Sequence, residues 1–355
     1  MGTCVCGIVT CETNGCFIDS GSLVVYYSKP TYNTVYCQYM ITISAIIPLC
    51  ILIGIGYLMQ KTLPRQPKSH QLLCKIGLAS CESWTTVLNK FALYLALPAL
   101  IFSSLVTSGN QARIPIEFIL YTALLLIAII LIVALIGRLL NWSPVLTNTY
   151  VFGVFFGNVA YIGPPFLSSL YGDIIAPVSI IIAIHVGIAF SVGLILLERS
   201  KHTHIDPISI AKKLITNPLL LSVLMGLLVA ILHIPLPAPL LHAIQMLGAS
   251  ASPVVLIALG TFIATEWSPH DGLIHACVIS AGKLIITPLL FLLVGSLFAA
   301  STIRDISILQ AAMPVALSNF ALAEHYPMDK KITANAIIMS TIAAAVTLGA
   351  FASAL

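Results

Sequence analysis

Charge is what this sequence has least of. Asp, Glu, Lys and Arg make up 8% of its 355 residues, against roughly 25% in an ordinary soluble domain. So thin a polar coat cannot cover a soluble fold of this size, which excludes water as its only solvent. A basic patch is missing too. The formal charge is +4 and the basic residues are scattered between apolar runs, a pattern that speaks against a nucleic-acid partner. There is no glycine-rich phosphate loop, which argues against a nucleotide-driven pump. No Ser/His/Asp set and no trusted metal-ligand spacing occurs, so an enzyme, a metal and a cofactor are all unsupported. His202, His204 and Asp206 are read as a solvated loop rather than a chelate.

What is present is apolar. The hydrophobic fraction is 59% and the mean hydropathy is +1.04. A helix needs about 20 apolar residues to cross the hydrocarbon core. That ruler marks ten spans, near 40–59, 88–107, 115–138, 147–170, 174–197, 217–234, 239–264, 272–299, 305–325 and 332–354. The expected fold is therefore an all-α polytopic membrane protein whose main partner is the lipid bilayer. Lys and Arg set its orientation. Twelve of them, from Lys61 to Lys331, fall on the side of the connections after odd-numbered spans, and three (Lys29, Arg113, Arg304) on the other. Both termini are expected outside a cell membrane, with the longer connections, 60–87 and 198–216, in the cytoplasm. The second part of 198–216 has the look of a short amphipathic surface helix.

Residues 1–39 differ from the rest. They hold Cys4, Cys6, Cys11, Cys16 and Cys37, yet their spacing matches no reliable zinc pattern. They also lack the basic stretch and apolar core of a signal peptide. Met40 opens the first apolar run, so this extension is expected to be disordered or an artefact of start-site choice. The remainder divides into 40–197 and 217–355, joined by 198–216.

Prolines recur between these halves. Pro98 is followed 155 residues later by Pro253, and Pro165 is followed 149 residues later by Pro314. Two five-helix repeats are implied, and an odd number of crossings forces the second to be inverted, as in many secondary transporters. Proline removes an amide donor and clashes with the preceding turn, so the fourth and ninth spans should break. In lipid such breaks persist only where they line a cavity or are buried in protein. Helix N-termini exposed there would offer N–H groups and a positive dipole end to a carboxylate.

The run Asn158, Tyr161, Gly163, Pro165, Tyr171, Gly172 resembles the N-x-x-F-x-G-x-P…F/Y-G segment of the auxin efflux carrier family. Met313-Pro314-Val315-Ala316, Ala323-Glu324-x-Tyr326 and Ser340-Thr341 resemble that family's ending. Further matches are A-L-P-A-L-I-F from Ala96, Asn217-Pro218, and P-V-V-L-I-A-L-G from Pro253. The resemblance covers about 40–354. It implies ten helices in two inverted repeats, with unwound helices 4 and 9 crossing at mid-membrane around the substrate. Pro164 departs from the family, which usually has Ile or Leu there, and the short 198–216 loop is closer to microbial members that carry malate, malonate or related anions. A homodimer is what the family suggests.

Asn158 and Asn319 lie near the two breaks, where their amides either hold a carboxylate or replace lost backbone partners; substrate binding is the favoured role. Tyr161, Gly163, Pro165, Pro314 and Ser318 accompany them. Lys283 lies mid-span, where a lysine costs roughly 2.5–3.5 kcal/mol. It is expected to face inward, attracting an anion or pairing with an acid. Glu117 and Glu324, toward helix ends, are candidates for ion coupling, and His185 reads as a packed histidine. The expected activity is efflux of a small organic anion by alternating access. The alternatives are a sodium- or proton-coupled symporter of related fold, or a membrane sensor without flux.

Overall fold

The computed structural model describes residues 4–6, 9–12, 15–17, 32–62, 84–108, 115–172, 174–200, 208, 212, 215–268, 271–298 and 301–355, with side chains from 46 onward. Three short strands, β1 (Cys4–Cys6), β2 (Val9–Glu12) and β3 (Gly15–Phe17), form an antiparallel ribbon. Every regular element described after it is a helix. The expected amphipathic helix within 198–216, the 60–87 connection beyond its ends, and the loop histidines lie largely outside the described residues.

The helices are α1 (Tyr32–Thr62), α2 (Trp84–Thr107), α3 (Ile116–Leu139), α4 (Pro144–Phe155), α5 (Gly163–Tyr171) and α6 (Ile175–Ser200). Then come α7 (Pro218–Ile231), α8 (Ala238–Glu266), α9 (Leu273–Gly295), α10 (Thr302–Ala311), α11 (Ser318–His325) and α12 (Lys330–Ala354). Local chemistry fixes several starts. Ser143, Ser301 and Asp329 accept from amides of the first turns of α4, α10 and α12, and Asn217 does so for α7. Pro144 and Pro218 follow their caps directly, where a missing N–H costs nothing.

Among the described residues, α2, α3, α6, α8, α9 and α12 are each long and apolar enough to cross a membrane, and α7 and Ile46–Thr62 are shorter apolar helices. Their outer faces are apolar as well: Leu139, Leu293 and Val346 are 70%, 68% and 76% exposed. Large aliphatic side chains facing outward in such numbers are stable only against lipid. The chain is a membrane-embedded, multi-pass helical protein.

Glycines bring two pairs of helices into backbone contact. A Cβ on Gly260 of α8 would lie 2.0 Å from the Ile53 carbonyl oxygen of α1, and one on Gly56 would lie 2.1 Å from that of Ile257. Helix α1 thus lies directly on α8. α7 lies on α2 in the same sense, with Gly226 against Leu105 and the Phe102 carbonyl.

The fourth and ninth apolar stretches are each two short helices. α4 ends at Phe155 and α5 starts at Gly163; α10 ends at Ala311 and α11 starts at Ser318. The prolines do not sit equivalently, however. Pro314 lies inside its break, whereas Pro164 and Pro165 lie in the first turn of α5, downstream of theirs. Two successive residues without N–H would leave the carbonyls of Ala160 and Tyr161 without helical partners, so the helix stops upstream of them. Gly157 and Val315 face each other across the crossing.

Candidate functional site

The two breaks meet. The Asn158 amide donates to the Pro314 carbonyl at 2.6 Å, the Ala316 amide donates to the Phe156 carbonyl at 3.0 Å, and Gly157 and Val315 form an isolated antiparallel bridge. Ser340 on α12 holds the far side, its hydroxyl accepting from the Val315 amide at 3.0 Å. Two unwound segments so paired satisfy part of the backbone that each helix released, as burial requires.

A helix end leaves its last carbonyls without partners, and here neighbouring elements supply donors. At the end of α4, Asn319 Nδ2 donates to the carbonyls of Phe152 at 2.9 Å and Phe156 at 3.4 Å. Thr287 Oγ1 donates to Val154 at 3.2 Å. At the end of α10 the donor is ionic: Lys283 Nζ reaches the Ala311 carbonyl at 2.9 Å. Lys283 stands in a π-turn, Gly282–Ile286, of α9 and is 0% exposed. Among the described residues no carboxylate pairs with it; the negative end of a half-helix takes that place.

Glycine makes room for these groups. A Cβ on Gly157 would lie 2.9 Å from Lys283 Nζ, and one on Gly163 would lie 2.8 Å from Gln310 Oε1. Gln310, on α10, was not among the residues singled out from sequence. It is fully buried, and neither atom of its side-chain amide has a hydrogen-bond partner. Asn158 Nδ2, Asn319 Oδ1 and His185 Nε2 are likewise buried without partners. Each such group costs about 1–3 kcal/mol if left unpaired, so a cluster of them beside a crossover marks a place where a polar guest is energetically welcome.

The structure therefore brings Asn158, Pro314, Asn319 and Lys283 together, and sets Gly163 against Gln310. Tyr161 turns away, its hydroxyl donating to Asn89 on α2. Pro165 and Ser318 are half-buried. Glu117 and Glu324 are exposed at helix ends, away from the crossover. His185 is packed as expected, its Nδ1 hydrogen-bonded to the Ile181 carbonyl at 2.9 Å. The expected amide seat at α5 is thin, because Pro164 and Pro165 leave Gly163 as the lone donor ahead of Phe166. The polar Gln310, four residues before Pro314 in an apolar run, was the available signal for the residue that sequence reasoning missed.

The family model described as "membrane transport protein" matches residues 81–352. A protein of Rhizobium meliloti named "Putative malonate transporter" is 26% identical over 269 residues, covering 74% of this chain and 84% of that one. An uncharacterized transporter of Methanocaldococcus jannaschii is 19% identical over 281 residues, covering 73% of this chain and 86% of that one.

Proposed function

We propose, from the premise that this chain belongs to the membrane transport protein family, that it is a secondary carrier of small organic anions with its binding site at the crossover of the two broken helix pairs. Its family makes it a transporter rather than an enzyme. The observation that carries the finer reading is the crossover itself: paired unwound segments, a buried lysine with no acidic partner among the described residues, and the unpartnered side-chain N–H groups of Asn158 and Gln310 around them. A dianion such as malonate matches that inventory, its carboxylates accepting from Lys283 and from the side-chain amides. Malate and auxin-like carboxylates offer the same acceptors. The name of the Rhizobium relative supports trying malonate first.

The architecture in this reading is ten membrane spans in two inverted five-helix repeats, counting each broken pair as one span and placing the breaks at mid-membrane. The reciprocal seating of α1 on α8 and α7 on α2 supports it, since a two-fold relation exchanges those contacts. Both termini lie outside the cell membrane, by the twelve-to-three distribution of basic residues, and the carrier acts as a homodimer. One half rocks against the other and exposes the crossover alternately. Each expelled negative charge gains about 2.3 kcal/mol per 100 mV of inside-negative potential, enough to drive efflux without a coupling ion.

Proteoliposomes holding the purified chain test this directly. Labelled malonate should equilibrate faster than in empty vesicles, with a rate that rises with the imposed potential and needs no sodium or proton gradient. Absence of flux with malonate, malate and indole-acetate, from protein that unfolds cooperatively, would reject the anion carrier. Strict sodium dependence would turn it into a symporter.

A further inference from the structure

Away from the crossover, the ends of α3, α4 and α6 meet around a cavity of about 360 Å³. Arg138, Arg199, Asn148 and Ser200 form its polar side, and Trp142 and Leu196 its apolar side. We propose that this cavity holds the phosphate headgroup of an anionic phospholipid.

Two guanidinium groups line one cavity, and neither has an acidic partner among the described residues. Guanidinium is the cation best suited to a phosphodiester, because its planar fork donates two parallel hydrogen bonds. Trp142 supplies a rigid wall. Its ring lies 4.4 Å from that of Tyr150, whose hydroxyl is hydrogen-bonded to His275 Nδ1 at 2.8 Å. Tryptophan at a helix end is the side chain that suits headgroup depth, with an apolar ring and one donor.

The surface beside the cavity selects a lipid over a free anion. Leu131, Leu135 and Leu139 on α3 are 59%, 55% and 70% exposed. Spaced by four, they form one apolar track leading away from Arg138 along the helix. A headgroup in the cavity sets its acyl chains on that track. Inorganic phosphate or malonate would use the arginines and leave the track idle.

The cavity floor also connects the two halves. Asn148 is 1% exposed. It accepts from Ser200 Oγ at 3.2 Å and donates to the Pro327 carbonyl, between α11 and α12, at 3.0 Å. A lipid seated above it braces the start of α4 against α6 and against that link.

The test uses the full chain in detergent, with phosphatidylglycerol and phosphatidylcholine as probes. Native mass spectrometry should show phosphatidylglycerol retained, phosphatidylcholine lost, and only the former raising the unfolding midpoint. The double variant R138Q/R199Q should retain at least about tenfold less phosphatidylglycerol, the factor expected for losing charge-assisted contacts. Ala134→Phe, which fills the cavity and leaves both arginines in place, should lose it equally and decides the matter if the double variant does not fold. Equal retention of the two lipids, or full retention by A134F, overturns the proposal. Displacement of the lipid by millimolar inorganic phosphate or malonate overturns it too, and assigns the cavity to a soluble anion.

Discussion

The two breaks look alike in sequence and differ in how their loose ends are tied. At the end of α4, neutral donors from the other half satisfy the carbonyls: Asn319, Thr287 and the Ala316 amide. At the end of α10 a buried ammonium does so, from Lys283. The half-helices that follow differ as well. α5 opens with two prolines and offers the Gly163 amide, whereas the Asn319 and Phe320 amides at the start of α11 already donate to the Ala316 and Leu317 carbonyls. Asn319 is therefore partly structural, its amide nitrogen already committed to backbone, while Asn158 Nδ2 has no partner at all. Two breaks with similar sequence can still divide labour between them.

Six substitutions would break or sharpen that contrast. The largest effect belongs to Lys283→Met. Malonate flux should fall about 100-fold, the equivalent of a charge-assisted contact of about 3 kcal/mol. Thermal unfolding should shift little, since removing a lone buried charge relieves a desolvation cost while the Ala311 carbonyl left without its donor costs about 1–3 kcal/mol. Unchanged flux would leave the ammonium a purely structural cap of α10.

The asparagines come next. Asn158→Ala should raise the half-saturating malonate concentration about tenfold, or 1.4 kcal/mol, with little change in the unfolding midpoint. Asn319→Ala should do the converse in stability, costing about 1–3 kcal/mol through the unpaired Phe152 carbonyl. Equal effects of the pair on both measurements would erase the distinction drawn here. Ser340→Ala frees the Val315 amide and should cost about 1 kcal/mol, read as a small drop in midpoint with affinity preserved. Smallest of all, Glu117→Gln and Glu324→Gln should leave flux and its pH profile unchanged, because both carboxylates are exposed at helix ends. A flattened pH profile in either would route a proton through it.

Much of this was legible in the chain. Long apolar runs set most helices within a few residues of their expected ends, α1 excepted, which starts at Tyr32 rather than near 40, since a backbone in lipid has few options beyond a helix. Gly157, Pro164, Pro165 and Pro314 announced the breaks. The two prolines play unequal parts, because Pro165 restarts a helix while Pro314 sits where one has stopped. Gln310 escaped notice because one neutral amide in an apolar run carries no pattern; its burial against Gly163 gives it meaning.

Composition and periodicity alone determined that the protein lives in a bilayer, that it is helical, and where its helices fail, since these follow from transfer free energies and backbone donors counted along the chain. Which groups meet at those failures was decided by tertiary structure. Lys283, Gln310, Asn158 and Asn319 come from separate stretches of chain, and their partners, or want of partners, depend on helix packing in three dimensions that no spacing along one dimension encodes.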